Sequence, residues 1–443
     1  MTYEEKIEKL FLRTPSFQNV GAAAYKPGLD TMLEFDALLG HPSRHMRCIH
    51  VAGTNGKGSV SSFLAATLSG KGRRVGLYTS PHLTDFRERI KIVSGGGFEL
   101  IGREAVEEFL DACEGFIESR RPSFFEITTA MAFWYFAAAG VDLAVVECGL
   151  GGRLDSTNII TPLVSIITNI GLEHTAYLGD TLEQIAFEKA GIIKSGVPAV
   201  VGETVPQTRP VFERIAAERG SELVFAQETR ACCLCPGDGT ISDVSGSDST
   251  AAPGKAEAPA GLDLTGNYQR QNLATVAAAL DILHSKYGIE ADTSRIGRAA
   301  RLTGLRGRWE KVGSSPDIIC DIGHNAHGLR RVFEQLCAVA PQYHHIYIIF
   351  GVVSDKDVDA IAPMMLKPGD GVSYIFTQPS TQRAMPVAEL AARMAPYGIS
   401  GIQVPTVAEA LALAKKEAAA EDLIFIGGSN FTVSDAVADF NDE

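Results

Sequence analysis

The sequence predicts an α/β protein with two mostly parallel sheets, and three observations support this. Short β-branched or aliphatic runs alternate with helix-length patterns along most of the 443 residues. These runs fall into two sets, separated by a stretch without apolar periodicity. Apolar residues make up 45% and charged residues 21%, which excludes disordered and fibrous classes. The length allows two or three domains, and the two sets of strands lead us to expect two.

Ten strands are predicted along the chain. Six lie in the first two thirds, at 47–52, 75–79, 143–148, 163–168, 199–201 and 223–225. Four lie in the last third, at 318–320, 346–351, 373–377 and 423–426, with helical stretches at 387–395 and 407–420. The first set predicts an N-terminal P-loop-type domain with a mostly parallel sheet, and the second predicts a smaller C-terminal Rossmann-like α/β domain. Two glycines and a basic cluster at 303–308 suggest the boundary, which gives domains 1–303 and 304–443.

Two segments depart from this alternation. Twelve of the 31 residues at 231–261 are Gly, Pro or Ser and none is aromatic, which predicts a flexible, solvent-exposed insertion. The run 127–146 contains one charge, Asp142, and is long enough to span a membrane. Because Gly140 divides it into a helix-length and a strand-length piece, we expect a buried helix that leads into a buried strand, and no membrane partner.

The formal net charge of −13 bears on the kind of partner. It argues against a general electrostatic attraction to nucleic acid or anionic membranes, so an anionic ligand needs a local site. Eight cysteines are scattered along the chain, and the acidic N-terminus lacks an apolar signal core. We therefore expect a monomer in the reducing cytoplasm that acts on small molecules.

The sharpest motif follows the first predicted strand and precedes a helical pattern. It comprises Gly53, Thr54, Asn55, Gly56, Lys57, Gly58 and Ser59. Glycines allow backbone N–H groups to converge on phosphate oxygens, Lys57 supplies a cation, and Ser59 can reach Mg²⁺. The strict P-loop pattern is not met, because Val51 stands at its first glycine position and Gly58 separates Lys57 from the hydroxyl residue. The motif predicts an ATP site, and a glycine-rich turn without a ligand is the alternative.

Three further polar residues occupy suggestive positions. Glu147 ends an apolar strand, where a carboxylate beside a phosphate loop is expected to bind Mg²⁺; the alternative is an acid that caps a tight turn. His174 follows the strand at 163–168, but a lone histidine is usually a satisfied core or surface residue. Lys189 lies near a predicted helix end, and the residues alone favour a solvated partner of the helix dipole.

The motif is accompanied by six further segments in a fixed order, at 78–83, 146–158, 171–174, 188–192, 306–308 and 321–328. Together they resemble the Mur ligase superfamily, and specifically its folate branch of folylpolyglutamate and dihydrofolate synthases. The resemblance covers most of residues 17–430. Its departures are Cys148, Ile322, Ala326 and the insertion, and none of them removes a chemical group that the reaction needs.

The resemblance implies ATP and two Mg²⁺ ions, with K⁺ as a further candidate ion. It implies that the metal ligands are Ser59, Ser80, Glu147 and His174. It also implies catalytic roles for Lys57, His174 and a carbamylated Lys189, and contacts to ATP from Asn272, Arg308 and Asp321 in addition to the phosphate loop. Carbamylation would convert the lysine cation into an anion that can organise the second metal.

The resemblance further implies a set of substrate contacts. They are Gly28, Leu29, Asp30, Ser123, Phe124, Leu154, Asp155, Ser156, His324 and Arg383. Either Phe124 or Phe125 is expected to stack on a flat pterin ring, and core packing is the alternative for one of them. Arg383 is expected to hold a carboxylate of the incoming glutamate.

An ATP site with two metal positions and without a Ser/His or Cys/His nucleophile implies phosphoryl transfer to a substrate carboxylate. The resemblance implies that L-glutamate is then added to dihydropteroate, to tetrahydrofolate polyglutamates, or to both. A muramyl-peptide ligase usually carries a UDP-sugar domain before the phosphate loop, whereas 52 residues precede Gly53 here. A nucleotide switch would need an Asn-Lys-x-Asp segment to read guanine, and the sequence contains none. An inactive scaffold would be expected to lack Lys57, Glu147 or His174, whereas all three are present here.

Overall fold

The computed structural model describes residues 2–14, 28–229, 261–369, 371–438 and 440. The described residues divide into an N-terminal unit, which ends at Leu305, and a C-terminal unit, which begins at Arg306 and includes the segment Leu264–Tyr268. The division lies two residues beyond the boundary predicted from sequence. The predicted insertion lies outside the described residues except for Gly261, and the functions predicted for the two domains remain predictions.

The N-terminal unit is built on an eight-stranded sheet. Its strands are β1 (Cys48–Ala52), β2 (Val75–Tyr78), β3 (Ile90–Ser94), β4 (Gly97–Leu100), β5 (Leu143–Glu147), β6 (Val164–Ile167), β7 (Ala199–Val201) and β8 (Leu223–Phe225). They lie in the order β4-β3-β2-β5-β1-β6-β7-β8. All neighbours are parallel except β2 with β3 and β3 with β4. The strand that leads to the glycine-rich loop, β1, is therefore central and fully buried.

Ten α-helices are described in this unit. They are α1 (Tyr3–Arg13), α2 (Asp30–Leu38), α3 (Lys57–Leu68), α4 (Arg103–Arg120), α5 (Phe124–Ala139), α6 (Thr175–Leu178), α7 (Leu182–Ala190), α8 (Arg209–Arg219), α9 (Gln269–Tyr287) and α10 (Ala299–Thr303). Helix α3 is buried along almost its whole length, and apart from Lys57 its residues are small or apolar. The predicted division of the apolar run into a helix and a strand is confirmed by α5 and β5. Within the described ranges, no helix has the length and apolarity to cross a membrane.

The C-terminal unit contains a second, six-stranded sheet. Its strands are β9 (Glu310–Gly313), β10 (Asp317–Cys320), β11 (Ile346–Phe350), β12 (Val372–Phe376), β13 (Gly401–Gln403) and β14 (Leu423–Gly427), in the order β13-β12-β11-β14-β10-β9. Only β9 pairs antiparallel. The helices are α11 (Ala326–Val339), α12 (Val358–Ile361), α13 (Val387–Met394), α14 (Val407–Glu417) and α15 (Asn430–Ala438). The predicted fold class is confirmed.

All ten predicted strands are present, with ends that differ by at most one residue. The prediction missed β3, β4, β9 and β13. Three of these are edge strands, and β13 is exposed at all three positions. The fourth, β3, carries Lys91 within its apolar sequence. Such short or interrupted strands lack the continuous apolar run by which buried parallel strands are recognised.

A buried arginine joins the far end of α3 to the turn between β3 and β4. The Arg295 guanidinium donates to the carbonyl oxygens of Ala66, Ser94 and Gly95 at 2.8, 2.8 and 3.2 Å, and to the Ser69 hydroxyl at 3.3 Å. Burial lowers the pKa of Arg295. A cation at a helix C-terminus is stabilised by the helix dipole, so Arg295 fixes the helix whose other end forms the glycine-rich loop.

We expect the Arg295→Met substitution to lower the free energy of unfolding by about 2–4 kcal/mol, because it leaves several buried oxygen atoms without donors. Urea denaturation followed by circular dichroism measures this. The matched control is Arg298→Met on the same segment, where the arginine is exposed and the expected change is within about 0.5 kcal/mol. Equal effects of the two substitutions would contradict the role assigned to Arg295.

Candidate active site

The glycine-rich loop joins β1 to α3, and its backbone requires glycine at two positions. Gly53 has a φ of 149°, and a Cβ atom there would lie 1.8 Å from Thr168 Oγ1. Gly56 has a φ of 82°, and a Cβ atom there would lie 2.4 Å from Asn272 Oδ1. Left-handed backbone and close neighbours both exclude a side chain. Asn272, predicted to contact ATP, therefore lies directly against the loop.

The segment that follows β6 holds the loop in shape. The Thr54 N–H donates to the Asn169 carbonyl at 3.0 Å, and the Asn55 N–H donates to Asn169 Oδ1 at 2.9 Å. The Gly171 N–H donates to Thr54 Oγ1 at 2.9 Å. The polar residues at the carboxyl end of β6 thus set the loop conformation. Sequence reasoning missed Asn169, although a polar residue directly after a buried strand is the signal that identified Glu147.

Two lysines converge on one carbonyl oxygen of this loop. Lys57 Nζ donates to the Gly53 oxygen at 3.0 Å and to the Thr54 oxygen at 3.1 Å. Lys189 Nζ, from the last turn of α7, donates to the same Gly53 oxygen at 2.9 Å. Lys189 is only 4% exposed, so the prediction of a solvated helix-end lysine is wrong. Burial, and secondly the charge of Lys57, lower the pKa of Lys189 to about 7.

Glu147 ends β5, and the predicted metal ligands Ser80 and Ser59 follow β2 and β1, the two neighbours of β5 in the sheet. Glu147 pairs with Val51 of β1 and is 3% exposed. Its Oε2 accepts a hydrogen bond from the Ser80 N–H at 3.2 Å. Ser59 Oγ accepts one from Gln269 Nε2 at 3.2 Å, a partner that sequence reasoning missed. Carboxylate and hydroxyl oxygens are hard ligands that fit Mg²⁺.

Within the described parts of the chain, no three His, Cys, Asp or Glu side chains converge as a metal cluster. Glu147 is the buried carboxylate that β5 brings to this edge. Mg²⁺ that is shared with nucleotide phosphates typically takes only one or two carboxylates from the protein. His174 precedes α6 with a left-handed φ of 53°, and its Nε2 lies 3.9 Å from Glu173 Oε1. The charge of Glu173 acts to raise the pKa of Lys189, so the Glu173 carboxylate is close enough to Lys189 to interact with it electrostatically.

A glycine positions the helix end that carries Lys189. A Cβ atom on Gly152 would lie 2.7 Å from the Lys189 carbonyl oxygen and 2.9 Å from that of Glu188. The next residue, Arg153, donates its N–H to the Glu188 oxygen at 2.7 Å. The loop after β5 thus packs against the backbone of α7.

The two phenylalanines at the start of α5 have different surroundings. Phe124 is buried, stacks on Phe11 with ring centroids 4.9 Å apart, and lies 5.1 Å from the Arg89 guanidinium. Phe125 is half-buried, and its ring atom Cζ would lie 2.6 Å from a Cβ atom on Gly149. Core packing, the alternative stated above, therefore describes Phe124. Phe125 is the ring that covers the loop after Glu147.

The other predicted substrate residues of this unit have visible structural partners. The segment 28–30 begins α2. The Ser123 hydroxyl accepts the Glu126 N–H at 3.2 Å and so caps α5. The buried Asp155 carboxylate accepts the N–H groups of Gly149 and Leu150 at 2.9 and 2.8 Å. Leu154 and Ser156 are half-buried on either side of Asp155.

The ATP residues predicted in the C-terminal unit are held by local contacts. The buried Asp321 carboxylate accepts the Tyr268 hydroxyl at 2.6 Å, the Trp309 N–H at 2.9 Å and the Gly323 N–H at 2.7 Å. Burial raises the pKa of Asp321. Arg308 Nη1 donates to the oxygen atoms of the two preceding residues, both at 3.3 Å. The predicted contacts of Arg308 and Asp321 with ATP remain predictions.

The two substrate residues predicted in the C-terminal unit, His324 and Arg383, lie in loops after parallel strands. His324 Nδ1 lies 3.0 Å from the Ile322 oxygen. Arg383 Nη2 lies 2.8 Å from both carboxylate oxygens of Asp355. Arg383 therefore already holds a carboxylate, although it is one from its own unit, and Asp355 is half exposed.

Comparison with known families matches most of the chain. Residues 51–280 match the Mur ligase middle domain, and residues 307–430 match the Mur ligase glutamate ligase domain. Folylpolyglutamate synthase of Lacticaseibacillus casei is 34% identical over 79% of this chain and 81% of its own length. Dihydrofolate synthase/folylpolyglutamate synthase of Bacillus subtilis is 36% identical over 75% and 76%. A probable bifunctional folylpolyglutamate synthase/dihydropteroate synthase of Halobacterium salinarum is 33% identical over 93% of this chain, which spans only 49% of that relative.

Solved structures share the fold over nearly the whole chain. Mycobacterium tuberculosis folylpolyglutamate synthase complexed with ADP aligns with a TM-score of 0.79 and 28% identity, covering 99% of this chain and 98% of that one. Escherichia coli FolC in complex with DHPP and ADP aligns with a TM-score of 0.78 and 26% identity, covering 100% and 98%. A bifunctional folylpolyglutamate synthase/dihydrofolate synthase with Mn, AMPPNP and L-glutamate bound aligns at 0.74 and 28%, covering 94% and 95%.

The chain has a glycine-rich loop on a central parallel strand and a second α/β unit, and its two family matches show that it is a protein of the Mur ligase class. Within it, the chain belongs to the folylpolyglutamate synthase and dihydrofolate synthase family.

We expect Gly152→Ala to displace the end of α7, because its methyl group would meet two backbone oxygens that cannot move independently. The expected loss of unfolding free energy is about 1–3 kcal/mol, measured by urea denaturation. The control is Gly115→Ala in α4, where the added methyl group has open space and should stabilise the helix by up to about 1 kcal/mol. A neutral Gly152→Ala would contradict the packing of this loop on α7.

Proposed function

We propose that the protein is an ATP-dependent ligase that joins L-glutamate to dihydropteroate, to tetrahydrofolate and its polyglutamates, or to both. The observation that carries the proposal is the convergence of Lys57 and Lys189 on the Gly53 carbonyl, beside the strand that ends in Glu147. The relatives named above support the choice of substrates. A muramyl-peptide ligase is the less favoured alternative, because the named relatives act in the folate branch.

The proposed chemistry proceeds through an activated acid. A carboxylate oxygen of the pteroate or folate attacks the γ-phosphorus of ATP, and ADP leaves. The amine of glutamate then attacks the acyl carbon, and the tetrahedral adduct expels phosphate as the amide forms. Lys57 is positioned in the loop to balance the charge of the transferring phosphoryl group. No covalent bond between the protein and the substrate is needed.

We propose that Ser59, Ser80 and Glu147 hold one Mg²⁺, and that His174 and a carbamylated Lys189 hold a second. K⁺ remains a further candidate. Divalent ions supply positive charge that stabilises negative charge on transferring phosphoryl oxygens. The fit rests on the donor set, which offers a buried carboxylate with hydroxyl oxygens at one sheet edge. A lysine whose pKa is about 7 offers a neutral amine for reaction with CO₂ near neutral pH.

The two ends of the substrate have separate proposed partners. Phe125 is the better candidate for stacking on the pterin, since Phe124 is covered by Phe11. Arg383 is proposed to hold a carboxylate of glutamate, and its contact with Asp355 supports this because it is the same chemistry. Asn272, Arg308 and Asp321 are proposed to contact ATP.

We also propose that the protein is monomeric and resides in the cytoplasm. The described cysteines carry free thiols, which is consistent with a reducing compartment. Light scattering of the purified protein tests the first statement, and cell fractionation tests the second.

The proposed function predicts phosphate release from ATP that depends on Mg²⁺, glutamate and a pteroate or folate acceptor. Dihydropteroate and tetrahydrofolate are offered separately, and phosphate is measured in a coupled assay. Glu147→Gln should keep the fold but have less than about a tenth of the wild-type kcat, because an amide is a poor Mg²⁺ ligand. The exposed Glu99→Gln serves as the control and should keep normal kcat. Release with neither acceptor would contradict the proposal.

Carbamylation of Lys189 should depend on pH in a defined direction. The folded-state pKa of about 7 lies below the ordinary 10.5, so the neutral amine that reacts with CO₂ increases as pH rises through about 7. We expect a ¹³C carbamate signal from ¹³C-bicarbonate to increase between about pH 6 and pH 8. Lys189→Ala should lack this signal and most activity, with partial rescue by acetate, whereas the exposed Lys416→Ala should resemble the wild type. A Lys189→Ala enzyme with normal turnover would refute the role.

A further inference from the structure

A buried histidine with no assigned role lies on β1, the strand that leads to the glycine-rich loop, and contacts the segment that follows Glu147. His50 is in the middle of β1, three residues before Gly53, and is fully buried. Its Nε2 lies 2.8 Å from Thr157 Oγ1 and 3.1 Å from Cys148 Sγ. Its Nδ1 has no hydrogen-bond partner among the described residues. Burial lowers the pKa of His50 to about 3, so the ring is neutral and carries one proton.

The partners of Thr157 decide which nitrogen carries that proton. The Thr157 hydroxyl forms a short hydrogen bond with Asp155 Oδ1, which also accepts the Thr157 N–H at 3.0 Å. The other oxygen, Oδ2, accepts the N–H groups of Gly149 and Leu150. Burial raises the pKa of Asp155, but the three backbone N–H groups oppose this shift because they donate to the charged carboxylate, and the anion is the form that these donors satisfy. The hydroxyl proton of Thr157 then points to Asp155, and its lone pairs face His50.

Nε2 is therefore the favoured site of the His50 proton, because the other group in contact with it, the Cys148 thiol at 3.1 Å, is only a weak hydrogen-bond donor. A lone pair on Nε2 would face the lone pairs of Thr157 at 2.8 Å, which is repulsive. The opposite tautomer would also leave a buried N–H at Nδ1 without an acceptor, and a buried donor without a partner is rarer and costlier than an unused lone pair. The hydrogen bonds thus run in one direction, from His50 through Thr157 to Asp155.

The end of this chain is the loop from Gly149 to Gly152. Asp155 holds its first two N–H groups, Phe125 covers Gly149, and Gly152 packs on the backbone of Lys189. A shift of Asp155 would therefore move both the ring proposed to face the pterin and the helix end that carries Lys189.

We propose that His50, as its Nε2–H tautomer, is a positioning residue for the part of the site that binds the pteroate or folate, and that it acts through Thr157 and Asp155. The effect of His50 on substrate binding rests on the proposed function, whereas the assignment of its tautomer does not. The Nε2–H group donates to a hydroxyl that is thereby oriented toward the carboxylate. The carboxylate in turn fixes the loop beneath the substrate ring.

The kinetic test compares a His50 variant that removes the N–H donor with one that keeps a donor. His50→Leu removes the donor and should raise the KM for the pteroate or folate acceptor by about fivefold or more, the factor that one ordinary hydrogen bond represents. The KM for ATP should stay within about twofold. His50→Gln keeps an N–H donor and should return the acceptor KM to within about twofold of the wild type. His50→Leu combined with Thr157→Val should be no worse than the more impaired single variant. The exposed His45→Leu is the surface control.

A merely structural role would reduce the active fraction, and therefore kcat, without changing either KM. That result, or a His50→Gln enzyme as impaired as His50→Leu, would overturn the proposal. Selective ¹⁵N-histidine labelling of the wild-type protein reports the tautomer directly and needs no turnover. An Nδ1–H ring at His50 would also overturn it. If neither acceptor is turned over, the proposed function fails, and the ¹⁵N spectrum still decides the hydrogen-bond direction.

Discussion

The carbonyl oxygen of Gly53 accepts hydrogen bonds from two lysine side chains, and the N-terminal site is organised around this contact. One lysine comes from the helix that the loop itself begins, and the other from the end of α7. Burial disfavours the charged form of Lys189, and the neighbouring Lys57 ammonium adds repulsion, so the pKa of Lys189 falls to about 7. The loop after β5 packs closely against the end of α7 that carries Lys189, and Gly152 in that loop has no room for a side chain.

The charges that shape this unit are satisfied mainly by backbone atoms. Arg295 donates to three carbonyl oxygens, Lys91 donates to the oxygen atoms of Thr303 and Gly304, and Asp155 accepts three backbone N–H groups. Backbone partners belong to strands and helix ends that are already fixed, so each bond ties one side chain to the framework. This gives the glycine-rich loop and the Glu147 carboxylate a rigid setting, as the proposed electrostatic catalysis requires.

Much of the fold follows from local pattern. The ten buried strands appear as apolar runs, whereas β4 and β13 are short, exposed edge strands that no apolar run identifies. The site was only partly predictable. The glycine-rich loop and Glu147 have local signatures, but a lysine near a helix end looks the same whether it points to water or to Gly53. The family resemblance, not the residue pattern, indicated a role for Lys189.

The sequence by itself determined where strands alternate with helices, where the backbone needs glycine, and which polar residues end buried strands, because these depend on neighbours a few positions apart. Tertiary structure decided what each side chain meets. Lys189 reaches Gly53 across 136 residues, and His50 meets Thr157 across 107. Whether Phe124 or Phe125 faces the loop likewise depends on Phe11 of α1. Such contacts are set by the packing of distant elements, which local periodicity does not encode.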